Sequence, residues 1–150
     1  MLQVILAIVT LVFVGDKPQS ALARSGIPVL LPRTFPSDAV QTTGGKIYTT
    51  VTDVADGSYK VLFDYTADCG GADACTIGSM EGGVDDAGSG GQTVTLKNGL
   101  AAHFHLFGCG ASCGASTIVF DYKDTTYRLS LKAGSKEDTV AAANSLFPPR

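Results

Sequence analysis

The chain has 150 residues, a net charge of −3 and 45% hydrophobic residues, with 18 glycines and no tryptophan. This length corresponds to one ordinary domain, and the hydrophobic fraction excludes a chain that is disordered by composition. Lysine and arginine are scattered singly, as at Lys46, Lys60 and Lys97, so the clustered basic surface that binds nucleic acid is not expected.

The N-terminal segment is typical of an export signal. Leu2–Val14 is almost continuously apolar, yet it is shorter than the roughly 20 residues that span a bilayer. A polar stretch then leads to Ala21-Leu22-Ala23, in which the small residues Ala21 and Ala23 suit the subsites of a signal peptidase. We therefore predict a signal peptide over residues 1–23, a mature chain that starts at Arg24, and no stable membrane span after cleavage.

Three alternatives to this prediction stay open at the level of sequence. No lysine or arginine precedes the apolar run, so the true start of the protein can lie upstream of Met1. The same segment also fits an uncleaved anchor. It fits equally a strand or helix that is buried in the folded domain.

The four cysteines fall into two local pairs, Cys69 with Cys75 and Cys109 with Cys113. The segments between them are rich in small residues, which let the backbone curl until the Cα atoms reach bonding distance. An even number of cysteines after an export signal predicts disulfides in a secreted or periplasmic protein, and the local pairing orders the least chain. Cross-pairing between the two turns is the main alternative. A zinc site of four thiolates is disfavoured, because only the second pair has ligand-like spacing.

Residues 24–45 are predicted to form an extended arm. Pro28, Pro32 and Pro36 block both helical and ladder hydrogen bonds within it. The apolar residues between the prolines are expected to pack on the body of the domain. A turn region at Thr42–Lys46 ends the arm.

From Lys46 onward the sequence has the period of two that is typical of strands. Asp56-Gly57 and Asn98-Gly99 are turn sequences favoured between the two strands of a hairpin. Glu81–Gly91 is too rich in glycine to hold regular structure. The predicted strands are Ile47–Val54, Ser58–Thr66, Thr76–Met80, Gln92–Lys97, Leu100–Phe107, Ser116–Tyr122 and Thr126–Leu131.

A single helix is predicted near the end of the chain. Ser135 can cap it, and Glu137 and Asp138 lie in its first turn, where the helix dipole favours negative charge. An apolar stripe at helical spacing follows, and Pro148 ends the helix. Residues 46–150 thus predict an α+β domain, an antiparallel β meander of six to seven strands with one C-terminal helix packed on the sheet.

Four polar side chains are candidates for chemistry. Asp64 and Asp121 stand in equivalent FDY stretches, and two carboxylates about 5–10 Å apart are what a glycosidase requires. His103 and His105 share one face of a strand and offer two metal ligands, but no third ligand is evident. The simpler interpretation of all four is an exposed side chain. The acidic pair Asp85-Asp86 lacks the spacing of a calcium loop.

Three stretches of the chain resemble a group of exported bacterial proteins without an assigned activity. They are DYTADCGGADACTIGSMEG, the NGL…FGCGASCGAS stretch and YRLSLKAG…AANSLF. The last of these also resembles the end of small extracytoplasmic domains from sporulation and anti-sigma contexts. The resemblance implies an exported bacterial domain with no known catalytic residues. The similar proteins do not have histidine at the positions of His103 and His105, which weakens the metal interpretation.

Two functional hypotheses follow. The first is a non-enzymatic module, associated with the cell envelope or binding a protein or ligand, without a metal or other cofactor. The second is a small extracytoplasmic hydrolase that uses Asp64 and Asp121, or His103 and His105. A cavity in which these side chains converge would favour the enzyme.

Overall fold

The computed structural model describes residues 11–15, 18–85 and 90–148, which form one eight-stranded sheet with three short helices. The strands are β1 (Val12–Gly15), β2 (Lys46–Ala55), β3 (Ser58–Asp64), β4 (Thr76–Gly82), β5 (Gln92–Thr95), β6 (Ala101–His105), β7 (Ala115–Tyr122) and β8 (Thr125–Lys132). The helices are α1 (Pro18–Leu22), α2 (Ser37–Thr43) and α3 (Lys136–Asn144). Among these residues no helix is long and apolar enough to cross a membrane.

The order of the strands corrects the predicted topology. They lie in the order β1-β2-β3-β4-β8-β7-β6-β5, and every neighbouring pair is antiparallel except the parallel pair of β1 and β2. The sheet is therefore mixed and has eight strands, rather than an antiparallel meander of six to seven. Two meanders, β2–β4 and β5–β8, meet where β4 pairs with β8. No local sequence pattern predicts that β4 pairs with β8, because the two strands are far apart in sequence.

One face of the sheet carries the hydrophobic core. Val61, Met80, Leu129 and Ile118 lie opposite one another on four adjacent strands, and all four are fully buried. The predicted C-terminal helix is confirmed as α3, which contacts β7 and β8. The Ser135 hydroxyl accepts a hydrogen bond of 3.0 Å from the N–H of Asp138, as the predicted N-cap requires.

The proline-containing arm lies across this core face and is held there by two tyrosines. The Tyr59 hydroxyl donates to the carbonyl of Leu30 at 2.8 Å and accepts from its N–H at 3.0 Å. The Tyr127 hydroxyl donates to the carbonyl of Pro28 at 2.7 Å. Burial raises the pKa of Tyr127 to about 12 and raises that of Tyr59 further, so both side chains stay neutral donors.

The arm is not extended throughout. Residues 26–36 have no regular structure, as its prolines predict, but residues 37–43 form α2. Pro36 precedes the first residue of this helix, a position where a missing N–H costs nothing. Gly44, with φ 62°, ends the helix in the left-handed conformation that glycine adopts readily. The turn predicted over Thr42–Lys46 therefore begins after Thr43.

The end of the predicted signal peptide is part of the folded sheet in this structure. β1 pairs with β2 in parallel, and Leu22 is fully buried in the core. The small residues Ala21 and Ala23 lie on either side of Leu22, in α1 and in the 3-10 turn Ala23–Ser25. Residues 1–10 lie outside the described part of the chain. This arrangement matches the alternative of an N-terminal strand within the domain, while cleavage before Arg24 stays a prediction.

Candidate functional site

The second face of the sheet is polar. Lys60, Glu81 and Arg128 lie opposite one another on β3, β4 and β8. Their side chains form ion pairs of 3.4 Å and 3.8 Å that share the Glu81 carboxylate. Because these groups are partly exposed and already paired, the sheet face is a solvated surface rather than an apolar one.

The two histidines lie on the same polar face. His103 is opposite Val119 and His105 is opposite Thr117, and both imidazoles are half-buried. Phe104, between the two histidines, is buried in the core, whereas Leu106 is 65% exposed because β6 ends at His105. No group of three metal-ligating side chains occurs within the described ranges. Two imidazoles alone do not make a zinc or copper site.

The two candidate carboxylates do not converge. Asp64 pairs with Thr76 where β4 begins, whereas Asp121 pairs with Thr126 near the start of β8. Since β4 and β8 are antiparallel, these positions lie toward opposite ends of the sheet and three strands apart. The separation is on the order of 20 Å, well beyond glycosidase geometry. Asp121 is exposed as predicted and accepts from the Thr126 hydroxyl at 2.6 Å.

Asp64 departs from the predicted exposure, since it is only 1% exposed. Its carboxylate accepts from the Thr76 hydroxyl at 3.1 Å and from the N–H of Gly71. Burial raises the pKa of Asp64 above its ordinary value of 3.8, and these two hydrogen bonds oppose the rise. Both donors belong to the segment around the first cysteine loop, so Asp64 attaches that loop to the sheet.

Both local cysteine pairs lie at bonding distance. The Cα atoms of Cys69 and Cys75 are 5.7 Å apart, and those of Cys109 and Cys113 are 4.0 Å apart. No cysteine is free, which argues against the zinc alternative and against cross-pairing. The first loop is also anchored by Lys132, whose ammonium lies 3.3 Å from the Asp73 carboxylate. Of the acidic pair considered for calcium, Asp86 lies outside the described residues.

A concavity lies beside α3, away from all of these residues. It is an open groove of about 1110 Å³, and its wall is mostly apolar. We call it the α3 groove. Its lining includes Arg33, Lys97, Lys136, Val140 and Phe147. The groove thus combines a mostly apolar wall with three cationic side chains and one carboxylate, that of Glu137.

Hydrogen bonds between distant segments hold the walls of the α3 groove together. The Ser145 hydroxyl accepts from the N–H groups of Arg33 at 2.9 Å and Thr34 at 3.1 Å. The Arg33 guanidinium donates to the carbonyls of Ser145 and Phe147. On the other side, the N–H of Lys97 donates to the Asn144 side chain at 2.8 Å. These contacts join the arm and the turn after β5 to the C-terminal end of α3 around the groove.

The α3 groove carries more positive than negative charge, because Arg33, Lys97 and Lys136 line it together with one carboxylate, that of Glu137. The ion pairs in the described part of the chain involve Lys60, Arg128 and Lys132, and none involves Arg33, Lys97 or Lys136. Lys136 is the first residue of α3, where the helix dipole disfavours a cation. Its place there gives the helix no stability, but it adds to the positive potential of the groove.

Sequence reasoning missed this groove because its residues come from three separate segments. Arg33 belongs to the arm, Lys97 to the turn after β5, and Lys136 to the helix, so each appears as an isolated charge. The one local indication of the groove in the sequence is Lys136, a basic residue in an otherwise acidic first turn of α3.

Comparison with protein-family models, curated proteins and solved structures finds no match to this chain. The resemblance to exported bacterial proteins therefore stays a prediction, and the functional argument rests on the geometry of the molecule itself.

Proposed function

We propose that the protein is an exported, non-enzymatic binding module whose ligand occupies the α3 groove. The observation that carries this proposal is the groove itself, a largely apolar concavity lined by three cations and one carboxylate, that of Glu137. Neither His103 and His105 nor Asp64 and Asp121 line it. The hydrolase hypothesis is not favoured, because Asp64 and Asp121 lie toward opposite ends of the sheet and the groove holds neither pair of candidate residues.

The chemistry of the groove defines the ligand class. An apolar wall that includes Val140 and Phe147 favours a hydrocarbon chain or ring, whose burial contributes roughly 25 cal/mol per Å². The cationic side chains of Lys97, near the C-terminal end of α3, and Lys136, at its start, favour a negatively charged ligand. The net charge of the chain is −3, so this local positive potential runs against the overall charge. We infer a small anionic amphiphile, with a carboxylate or a phosphate as its polar end.

Binding can be tested with decanoate, dodecyl phosphate and decanol as probes, each displacing the fluorescent dye anilinonaphthalene sulfonate. Replacing both Lys97→Gln and Lys136→Gln should weaken decanoate binding roughly three- to tenfold, because two partly exposed charge contacts are lost. Decanol binding should change by less than about twofold, since it carries no charge. The ratio of carboxylate to phosphate affinity in the wild type identifies the preferred end group.

A matched control for this test is the double variant Lys46→Gln with Lys123→Gln, which removes the same charge from residues outside the groove lining. It should bind decanoate like the wild type. Raising the salt concentration should weaken decanoate binding but not decanol binding. Equal losses in both double variants, or no displacement of the dye by any probe, would contradict the proposal.

Export is tested separately by sequencing the N-terminus of protein recovered outside the cytoplasm. The mature chain is expected to begin at Arg24, because Ala21 and Ala23 supply the small residues of the cleavage site. Its disulfide peptides should pair Cys69 with Cys75 when mapped without reduction. An intact N-terminus on protein retained in the cytosol would refute the export half of the proposal.

A further inference from the structure

The edge of β2 is covered by a short strand that comes from the predicted signal peptide. Val12 and Gly15 of β1 are aligned with Lys46 and Thr49 of β2, and the pairing is parallel. The N–H of Val12 donates to the carbonyl of Gly45 at 2.9 Å. β2 is thus the strand whose edge would be open to pairing if β1 were removed.

The surface that β1 contacts restricts which side chains can occupy positions 13 and 15. The Phe13 ring lies 6.2 Å from that of Phe35 and 6.1 Å from that of Phe63, measured between centroids. Two residues later the backbone comes so close to β2 that a Cβ atom on Gly15 would lie 2.7 Å from the carbonyl oxygen of Thr49. Gly15 also has φ +113°, a conformation that side-chain-bearing residues rarely adopt. This edge therefore accepts an aromatic residue followed, two positions later, by glycine.

We propose that the edge of β2 and the adjoining Phe35–Phe63 surface form a strand-acceptor site. The site binds a short parallel strand with the pattern aromatic-x-Gly, which pairs with Lys46–Thr49 as β1 does. In the uncleaved chain, Val12–Gly15 occupies the site. After cleavage, the occupant is a strand of the same pattern from another polypeptide.

Cleavage would open this acceptor, and this step alone rests on the export proposed above. A cut before Arg24 removes β1 together with Leu22, which is fully buried among the core residues. The edge of β2 would then present main-chain donors and acceptors beside an apolar surface that has lost Phe13. Adding a strand to such an edge is a common mode of peptide recognition.

The acceptor can be tested on the full chain, independently of any cleavage. In the variant Gly15→Val the added side chain meets the Thr49 carbonyl, so β1 leaves the edge of β2. A fluorescein-labelled peptide with the sequence of residues 11–23 should then bind at least about tenfold more tightly to this variant than to the wild type, as measured by anisotropy. The wild type should bind the peptide more weakly, because its own β1 competes for the same edge at an effective concentration of about millimolar.

Two controls make the outcome specific. The variant Gly108→Val makes the same exchange where a Cβ atom meets nothing within 4 Å, and it should bind the peptide as weakly as the wild type. A peptide that carries Gly15→Val itself should not bind to any form of the protein. If the Gly15→Val protein does not fold, Phe13→Ala vacates the same site by removing the aromatic contact.

Equal binding of the two peptides, or no gain for a folded displaced variant, would overturn the proposal. A mature protein that does not begin at Arg24 would refute the predicted cleavage and leave this result standing. The failure of the acceptor and the failure of the proposed export are therefore distinguishable.

Discussion

Replacing Gly78 by alanine should lower the free energy of unfolding by about 3 kcal/mol or more. Gly78 lies on β4 opposite Leu131 of β8, at the joint between the two meanders. A Cβ atom there would overlap the backbone carbonyl oxygen of Ser130, and backbone atoms cannot move aside as a flexible side chain can. Strand propensity alone predicts the opposite, a gain of roughly 0.5–1 kcal/mol from Gly to Ala. The cost of the steric overlap is larger than this gain, so the pairing of β4 with β8 should be disrupted.

This expectation can be checked by urea denaturation followed by far-ultraviolet circular dichroism under oxidising conditions. The control is Gly108→Ala, an exposed position where the new methyl group meets nothing within 4 Å. Its free energy of unfolding should stay within about 0.5 kcal/mol of the wild type. A Gly78→Ala protein as stable as the control would show that β4 and β8 do not pair in this register.

Replacing Asp64 by alanine should lower the free energy of unfolding by about 1–3 kcal/mol, whereas Asp64→Asn should change it by less than about 1 kcal/mol. Alanine removes the acceptor of the Gly71 N–H and leaves the half-buried Thr76 hydroxyl with only the Ala72 carbonyl as an oxygen acceptor, at 3.0 Å. Asparagine keeps an acceptor oxygen at nearly the same place and removes a charge that burial disfavours. Comparing the two variants shows whether Asp64 acts as a hydrogen-bond acceptor in the fold or whether its negative charge is required.

The pH dependence of this pair of proteins follows from the pKa of Asp64. Burial raises that pKa above 3.8, so the folded protein holds the proton more tightly than the unfolded chain. The contribution of Asp64 to stability is therefore largest below its unfolded pKa and decreases as the pH rises through its folded pKa. Since Asn does not titrate, the wild type should lose stability relative to Asp64→Asn as the pH rises from 3.8 through the folded pKa of Asp64.

Urea midpoints of both proteins measured across this range provide the readout, and the other titrating groups cancel in the difference. A difference that stayed constant with pH would show that Asp64 is not desolvated in the fold. A wild type that gained on Asp64→Asn as the pH rose would mean that its hydrogen bonds outweigh burial.

The sequence by itself determined the local features of this protein. Asp56-Gly57 and Asn98-Gly99 predicted their turns, and Ser135 predicted the start of α3, because each signal lies within a few residues of the structure it specifies. The close pairing of Cys69 with Cys75 and of Cys109 with Cys113 has the same origin, since small residues over a short loop leave few alternatives.

Only the tertiary structure decided how these pieces meet. The pairing of β4 with β8, the burial of Asp64 and the parallel placement of β1 all depend on contacts between residues far apart in sequence. The α3 groove likewise assembles Arg33, Lys97 and Lys136 from three segments, none of which carries a motif. Propensity and periodicity report on a residue and its near neighbours, whereas long-range pairing is selected by the packing of the whole core.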